Sequence, residues 1–199
     1  MTLVAAFARA AAEDGIVLEP RTYDWLSEQG HVGLERIAKA RRDPAIVAPV
    51  KAALQVLSAI YARLGGDLSV LSAARENLLL PVELVHAATG TVIEVDDAKH
   101  FTSFRLAALE LYPFDVSEQI ALCRELAPRT DGLDRGLAAK GFGFGGVPRE
   151  RAYHDALCDL AVPAMGHPPV VRVAAVDGDG AAAYARHRDA LIGSVSASP

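Results

Sequence analysis

Three carboxylates and a histidine lie close together in a stretch that otherwise has the composition of a buried β-hairpin. They are Glu83, Glu94, Asp96 and His100. Carboxylate oxygens are the ligands that hard divalent ions such as Mg²⁺ prefer, and histidine gains or loses a proton near neutral pH. Acids are rarely buried among apolar residues without a partner. The types and spacing of these residues therefore indicate metal-assisted or acid–base chemistry.

The register of the hairpin determines whether the acids meet. The β-branched and leucine-rich composition predicts strands over residues 78–86 and 91–96, joined by a loop over residues 87–90. This loop puts Glu83 directly opposite Glu94. Side chains alternate between the two faces of a strand, so the acids share one face and the other face is apolar. The side chains predicted on the apolar face are Leu80, Val82, Leu84, Ile93 and Val95.

Two ionised glutamates in direct opposition repel each other, so the hairpin needs a compensation. A salt bridge to a nearby cation is the first option, and a raised pKa of one acid is the second. A bound divalent ion such as Mg²⁺ is the third. The residues alone leave all three open. The cations available for a salt bridge are Lys99, Arg105 and Arg172.

The whole chain has the size and composition of one globular domain, with or without an extension. Its 199 residues are 51% hydrophobic and carry a net charge of −5, which argues against a general binder of polyanions. Cys123 and Cys158 lack any metal-site or redox-motif spacing, so we expect free thiols in a cytoplasmic protein. No run approaches the roughly 20 apolar residues of a membrane span, and we expect no membrane partner.

The remaining pattern predicts an α/β (or α+β) fold with a mixed central sheet flanked by helices. Helices are predicted over residues 2–13, 22–29, 32–42, 45–64, 101–112, 117–126, 148–164 and 181–192, with a further strand over residues 169–174. The predicted organisation is a helical N-terminal extension over residues 1–66, a core over 67–192 with an insertion at 113–147, and a flexible tail over 193–199.

The hairpin residues also resemble a known enzyme superfamily. An acid at Glu83 is followed by I-E-V-D at residues 93–96, by H-F at residues 100–101 and by an arginine-containing helix. This order resembles the PD-(D/E)xK, or restriction-endonuclease-like, nucleases. The nearest branch is that of the very-short-patch repair endonuclease and the IE(V/I)DGxxH-type domains. The resemblance implies a restriction-endonuclease-like fold.

A second segment resembles the same branch. R-A-Y-H-D-A-L-C-D at residues 151–159 is followed by Gly166 and then by P-V-V-R-V at residues 169–173. This is similar to the later helix and strand of that branch. The resemblance covers roughly residues 76–112 and 148–175 and leaves the N-terminal helices outside.

The resemblance implies a role for each matching residue. Glu83 matches the first acid of the motif, Glu94 the second, and Asp96 the place usually held by lysine. Glu83 and Glu94, with the Val95 carbonyl, would hold Mg²⁺ or Mn²⁺, which lowers the pKa of an attacking water. His100 would act as general base or orient that water, which completes the implied catalytic set. The residues implied to bind substrate phosphate are Lys99, Arg105 and Arg172.

Three functions are compatible with this sequence. The first is a Mg²⁺-dependent endonuclease that hydrolyses phosphodiester bonds in DNA. The second is a catalytically inactive nuclease-like domain that binds a protein, through its N-terminal helices, or nucleic acid; Glu83 where aspartate is usual and Asp97 where glycine is typical favour it. The third is a metal-dependent hydrolase of a small phosphorylated substrate. A homodimer is open for each.

Overall fold

The computed structural model describes residues 1–75, 77–134 and 136–196 of the chain. Its helices are α1 (Leu3–Glu13), α2 (Gly30–Arg41), α3 (Pro44–Arg63), α4 (Leu68–Ser72), α5 (Ser103–Leu109), α6 (Ser117–Thr130), α7 (Val147–Ala164) and α8 (Gly180–Ser196), with a short 3-10 turn over Ala98–His100. Its strands are β1 (Leu18–Ser27), β2 (Leu79–His86), β3 (Val92–Asp96) and β4 (Val171–Ala174). The predicted α/β class with a mixed sheet between helices is confirmed.

The four strands form one sheet in the order β1-β2-β3-β4. The β1–β2 and β2–β3 pairs are antiparallel, and the β3–β4 pair is parallel. A parallel neighbour requires a crossover, and α5, α6 and α7 supply it between β3 and β4. This crossover places α7 over the sheet face from which the acids of β3 project.

The β2–β3 hairpin has the predicted register. Its paired residues are Leu84 with Ile93 and Val85 with Val92. The next position in this register would bring Glu83 opposite Glu94. In the described part of the chain, backbone pairing ends before that position. There the side chains of Glu83 and Glu94 bond to backbone amides of the opposite strand instead.

A bulge in β2 next to the acids changes the face that two side chains occupy. Between its pairs at Val85 and Val82, β2 accommodates one residue more than β1 does. Leu80 and Val82 therefore pack in the same core as Val85. The prediction that both share the apolar face of Leu84 is wrong, because the alternation of side chains does not continue through the bulge.

The N-terminal residues contribute a strand to the sheet, and the helix predicted over residues 22–29 is wrong. Tyr23 and Trp25 in β1 are buried and stack with ring centroids 4.8 Å apart. Aromatic residues favour strands, and pairing with β2 overrides a weak local helical tendency. The predicted N-terminal extension is therefore not purely helical, since β1 is the edge strand next to β2.

Helices cover both faces of the sheet and create two main cores. On one face, α1 and α8 pack over Leu84, Ile93, Val95 and Val173. On the other, α3 and α7 pack against each other above Val82, Val85 and Val92. The last helix, α8, continues to Ser196, into the tail predicted over residues 193–199. Residues 197–199 of that predicted tail lie outside the described residues.

One helix, α3, is long and apolar enough to cross a membrane by length and composition alone, the only such helix in the described part of the chain. Its buried side chains, among them Val50, Leu57 and Ile60, belong to the core shared with α7. Core helices of soluble proteins meet the same criterion, so this is weak evidence for a membrane span. Cys123 and Cys158 are both free, as predicted, and the structure shows that both are buried.

Candidate metal centre

Three elements bring the candidate site together. Strand β3 ends at Asp96, and the 3-10 turn that follows is capped by Asp97, whose Oδ1 accepts a hydrogen bond from the Lys99 amide at 2.9 Å. This tight turn folds His100 back over Asp96. Helix α7 lies across the same face and presents Asp155, whose carboxylate reaches the Nδ1 atom of the imidazole.

The side chains of Asp96, His100 and Asp155 form a compact group. The Nδ1 atom of His100 lies 3.1 Å from Asp155 Oδ2 and 3.4 Å from Asp96 Oδ1. One ligand atom from each residue lies within 4.8 Å of the others, and both carboxylates are buried. Two carboxylates and an imidazole are a donor set that divalent ions accept. This group could hold a metal ion.

The guanidinium of Arg172, on β4, lies against the same carboxylates. Its Nη1 atom is 2.6 Å from Asp96 Oδ1 and 3.3 Å from Asp155 Oδ1, and its Nε is 2.7 Å from Asp159 Oδ1. Only 5% of the side chain is exposed. Arg172 is therefore a buried counter-ion shared by three aspartates. Among the described residues it forms no ion pair with Glu83 or Glu94, the pair for which a salt bridge was one predicted compensation.

A second buried guanidinium, that of Arg105 on α5, completes this network. It contacts Asp155 Oδ2 through Nη1 and Asp159 Oδ2 through Nη2 at 3.1 Å. The Tyr112 hydroxyl donates to the same Asp159 oxygen at 2.7 Å. Burial by itself would raise the pKa of Asp159, but the two guanidiniums outweigh it and the pKa is lowered. Asp159 is therefore a structural anion within the fold.

Replacing Tyr112 by Phe is expected to lower the free energy of unfolding by about 1.5–2 kcal/mol, because a buried bond to a charged carboxylate is lost. Urea denaturation measures the change. Tyr184→Phe is the matched control: its hydroxyl also bonds an aspartate, Asp14, at 2.7 Å, but that carboxylate is exposed to water. A loss at Tyr184 as large as that at Tyr112 would contradict the assignment.

The two glutamates of the hairpin bond to backbone amides across the strands. Glu83 Oε2 accepts from the Val95 amide at 2.7 Å, and Glu94 Oε1 accepts from the Glu83 amide at 3.3 Å. The carboxylates thus take the place of backbone ladder bonds at the end of the β2–β3 pairing. The Cys158 thiol on α7 lies 3.7 Å from Glu94 Oε1.

The protonation of these glutamates follows from their burial. Burial raises the pKa of Glu94 to about 7, with Arg172 opposing the shift and the charge of Glu83 adding to it. Burial also raises the pKa of Glu83, against the bond from the Val95 amide. A raised pKa, the second compensation considered from the sequence, is therefore the one that burial favours for this pair.

Carboxylates outnumber cations at this site. Five acids surround the face of β3 covered by α7, and two buried guanidiniums face them; the acids are Glu83, Glu94, Asp96, Asp155 and Asp159. A cleft of about 210 Å³ reaches Glu94, Asp155 and Arg172. That volume holds several water molecules at roughly 30 Å³ each. A partly hydrated ion has room there beside Glu94 and Asp155, whereas Asp96 and His100 are not among the described residues that line the cleft.

Most, but not all, of the residues predicted from the sequence to form the site lie at it. Glu83, Glu94, Asp96 and His100 all lie at the site, whereas Lys99 faces solvent and pairs with Asp134. In the part of the chain that the structure describes, the group with three metal-compatible side chains includes neither Glu83 nor Glu94. Both predicted substrate-binding arginines, Arg105 and Arg172, are buried and bonded to acids.

Sequence reasoning missed Asp155 and Asp159 as members of the site. Both occur, four residues apart, on a helix whose neighbouring positions are apolar, with Ala156, Leu157 and Leu160 buried around them. Two acids on one buried helical stripe require partners. That signal was visible in the sequence, but their partners lie on α5 and β4, which only the fold brings together.

Comparison with protein-family models, curated proteins and solved structures finds no match to this chain. Function must therefore be argued from the geometry and charge of the site.

Proposed function

We propose that the protein is a metal-dependent nuclease that hydrolyses phosphodiester bonds in DNA, with Mg²⁺ or Mn²⁺ as its ion. The observation that carries the proposal is the surplus of carboxylates around His100, of which Asp155 and Glu94 line a cleft that holds several waters. Buried like charges are expensive unless a cation compensates them. The resemblance of the hairpin residues to the PD-(D/E)xK nucleases supports the same chemistry.

Asp96 and Asp155 are the carboxylates that would hold the ion, with His100 beside them and the charges of Glu83 and Glu94 nearby. Oxygen ligands at a partly hydrated position suit Mg²⁺ and Mn²⁺. When bound, such an ion neutralises phosphate charge and lowers the pKa of a water nucleophile. In the metal-free protein Arg172 neutralises part of the same charge, which keeps the carboxylates in place.

His100 has the surroundings of a proton acceptor. Burial lowers its pKa, against the charge of Asp96, so the neutral imidazole is favoured at neutral pH. Its Nδ1 atom faces the Asp155 carboxylate, which as an anion can only accept a hydrogen bond. The proton is then on Nδ1, and Nε2 keeps a lone pair that can take a proton from a water.

A second candidate is a catalytically silent nuclease-like domain that binds nucleic acid. One observation favours it: Arg172 Nη1 already contacts both Asp96 and Asp155, so a cation of the protein itself occupies part of the space between the two carboxylates. In this alternative the network is structural, and DNA would bind without being cleaved.

Plasmid and oligonucleotide cleavage with Mg²⁺ or Mn²⁺ tests the proposal. His100→Gln is expected to reduce the rate about 10²- to 10⁴-fold, the usual contribution of a general base. Glu125→Gln, which removes an exposed acid on α6, serves as the control and should leave the rate unchanged. Absence of metal-dependent cleavage by folded protein that still binds the oligonucleotide would replace the proposal by the silent domain.

A further inference from the structure

Two solvent-accessible cations lie at the rim of the candidate metal centre. Lys99 immediately precedes His100 in the 3-10 turn, and Arg151 lies one helical turn before Asp155 on α7. Residues four apart on a helix have Cβ atoms roughly 5–6 Å apart, so Arg151 and Asp155 share a face. Arg151 therefore lies on the same face of α7 as Asp155, and Lys99 belongs to the same turn as His100.

The two cations converge on one oxygen atom. Asp134 Oδ2 lies 3.0 Å from Arg151 Nη2 and 3.6 Å from Lys99 Nζ. Arg151 Nη1 also donates to the Lys99 carbonyl at 3.2 Å, which ties α7 to the 3-10 turn. An ammonium and a guanidinium are thus held around a single anionic oxygen.

These cations differ from the buried arginines in their access to solvent. The side chains of Lys99 and Arg151 are 46% and 23% exposed, whereas those of Arg105 and Arg172 are 3% and 5% exposed. A substrate can reach the first pair without disturbing the network below it. Water reaches these side chains, Asp134 being 19% exposed, so exchanging its carboxylate for another anion costs less than breaking the buried network.

We infer that Lys99 and Arg151 bind the phosphate next to the scissile one, and that the Asp134 carboxylate holds their place in the free protein. This inference rests on the proposed nuclease function. A phosphate oxygen replaces a carboxylate oxygen naturally, because guanidinium and ammonium groups bind both. The substrate is then a DNA strand with at least two consecutive phosphates, which distinguishes it from a small phosphorylated molecule.

Binding of a fluorescein-labelled single-stranded oligonucleotide in EDTA, followed by fluorescence anisotropy, tests the inference without metal or cleavage. Arg151→Gln and Lys99→Gln are each expected to weaken binding about fivefold or more and to lower the salt slope by about 0.7. Arg9→Gln is the matched control, since it removes an exposed cation of α1, which packs on the other face of the sheet, and should change neither quantity.

The variant Asp134→Asn gives the opposite sign and so cannot be imitated by partial unfolding. It removes the competing carboxylate, and binding is expected to tighten severalfold. Unchanged or weaker binding by Asp134→Asn, or unchanged binding by both cation variants, would overturn the inference.

A cleavage experiment separates this inference from the proposed function. An oligonucleotide with one neutral methylphosphonate beside the scissile phosphate should be cut more slowly by the wild type, mainly through a higher KM. Arg151→Gln should add no further loss on that substrate, because the contact is already missing. If Arg151→Gln slows cleavage of this substrate as much as it slows cleavage of the unmodified strand, the phosphate contact is contradicted but the nuclease function is not. Failure of all cleavage would contradict the nuclease, while the anisotropy result would still decide the phosphate site.

Discussion

Replacement of Arg172 by Met is expected to lower the free energy of unfolding by about 3–5 kcal/mol, the largest effect of any single substitution at this site. The guanidinium contacts Asp96, Asp155 and Asp159 in the protein interior. Methionine fills much of the same volume but leaves three buried carboxylates, of which Arg105 contacts only Asp155 and Asp159. A typical domain has a free energy of unfolding of about 5–15 kcal/mol, so this loss would remove a large part of the stability of the fold.

Urea denaturation at pH 7 measures the effect, and Arg129→Met on the exposed surface of α6 is the matched control, since its side chain is 69% exposed. Arg172→Lys should fall between wild type and Arg172→Met, because an ammonium keeps the charge but cannot reach all three acids at once. A loss at Arg172 no larger than that at Arg129 would show that the network does not hold the fold together.

Replacement of Glu94 by Gln is expected to raise the stability of the metal-free protein at pH 8 by about 2–3 kcal/mol. The folded-state pKa of Glu94 is about 7, above the ordinary value of 4.5. A group with a raised folded-state pKa contributes stability that is present below its unfolded pKa and is lost as pH rises through the folded pKa. Stability should therefore fall between about pH 4.5 and pH 7, and glutamine removes this loss because it carries no charge.

The pH dependence gives the sharper comparison. In EDTA at pH 4.5 the wild type and Glu94→Gln should be equally stable, since the wild-type carboxyl is then protonated in the fold; at pH 8 they should differ. Glu125→Gln, exposed on α6, should show no such difference between the two pH values. A variant that is destabilised at pH 8 would indicate that the ionised carboxylate is well accommodated without any ion. A gain in stability at a candidate functional residue is what a site built for a cation predicts.

Much of the sheet could be predicted from the sequence because its signals are local. The alternation around residues 84–85 and 92–93 and the short loop between them determine the hairpin register, and the structure has that register. Strand β1 could not be predicted from local helical tendency, because its conformation depends on pairing with β2, more than fifty residues later. The bulge that moves Val82 to the other face likewise arises from the fit between two strands.

The site was predictable in part for the same reason. The acids of the hairpin and His100 lie close in sequence, so their meeting follows from a strand and a turn. Of the compensations anticipated for the glutamate pair, a raised pKa is favoured at Glu94, whereas Arg172 forms its ion pairs with three aspartates instead. Asp155 and Asp159 reach the site through the α5–α7 crossover, whose path sequence spacing does not reveal. The resemblance to PD-(D/E)xK nucleases stays a prediction.

Titration of the folded protein with Mn²⁺ by isothermal calorimetry tests the central claim most directly, because that claim is that the surplus carboxylates hold a divalent ion. The wild type is expected to bind one ion, more tightly at pH 8 than at pH 6. At pH 6 binding should also release up to one proton as Glu94 ionises beside the ion. Asp155→Asn should lose the binding, with circular dichroism showing that the variant is folded. Absence of binding to the wild type, or equal binding by folded Asp155→Asn, would contradict the account.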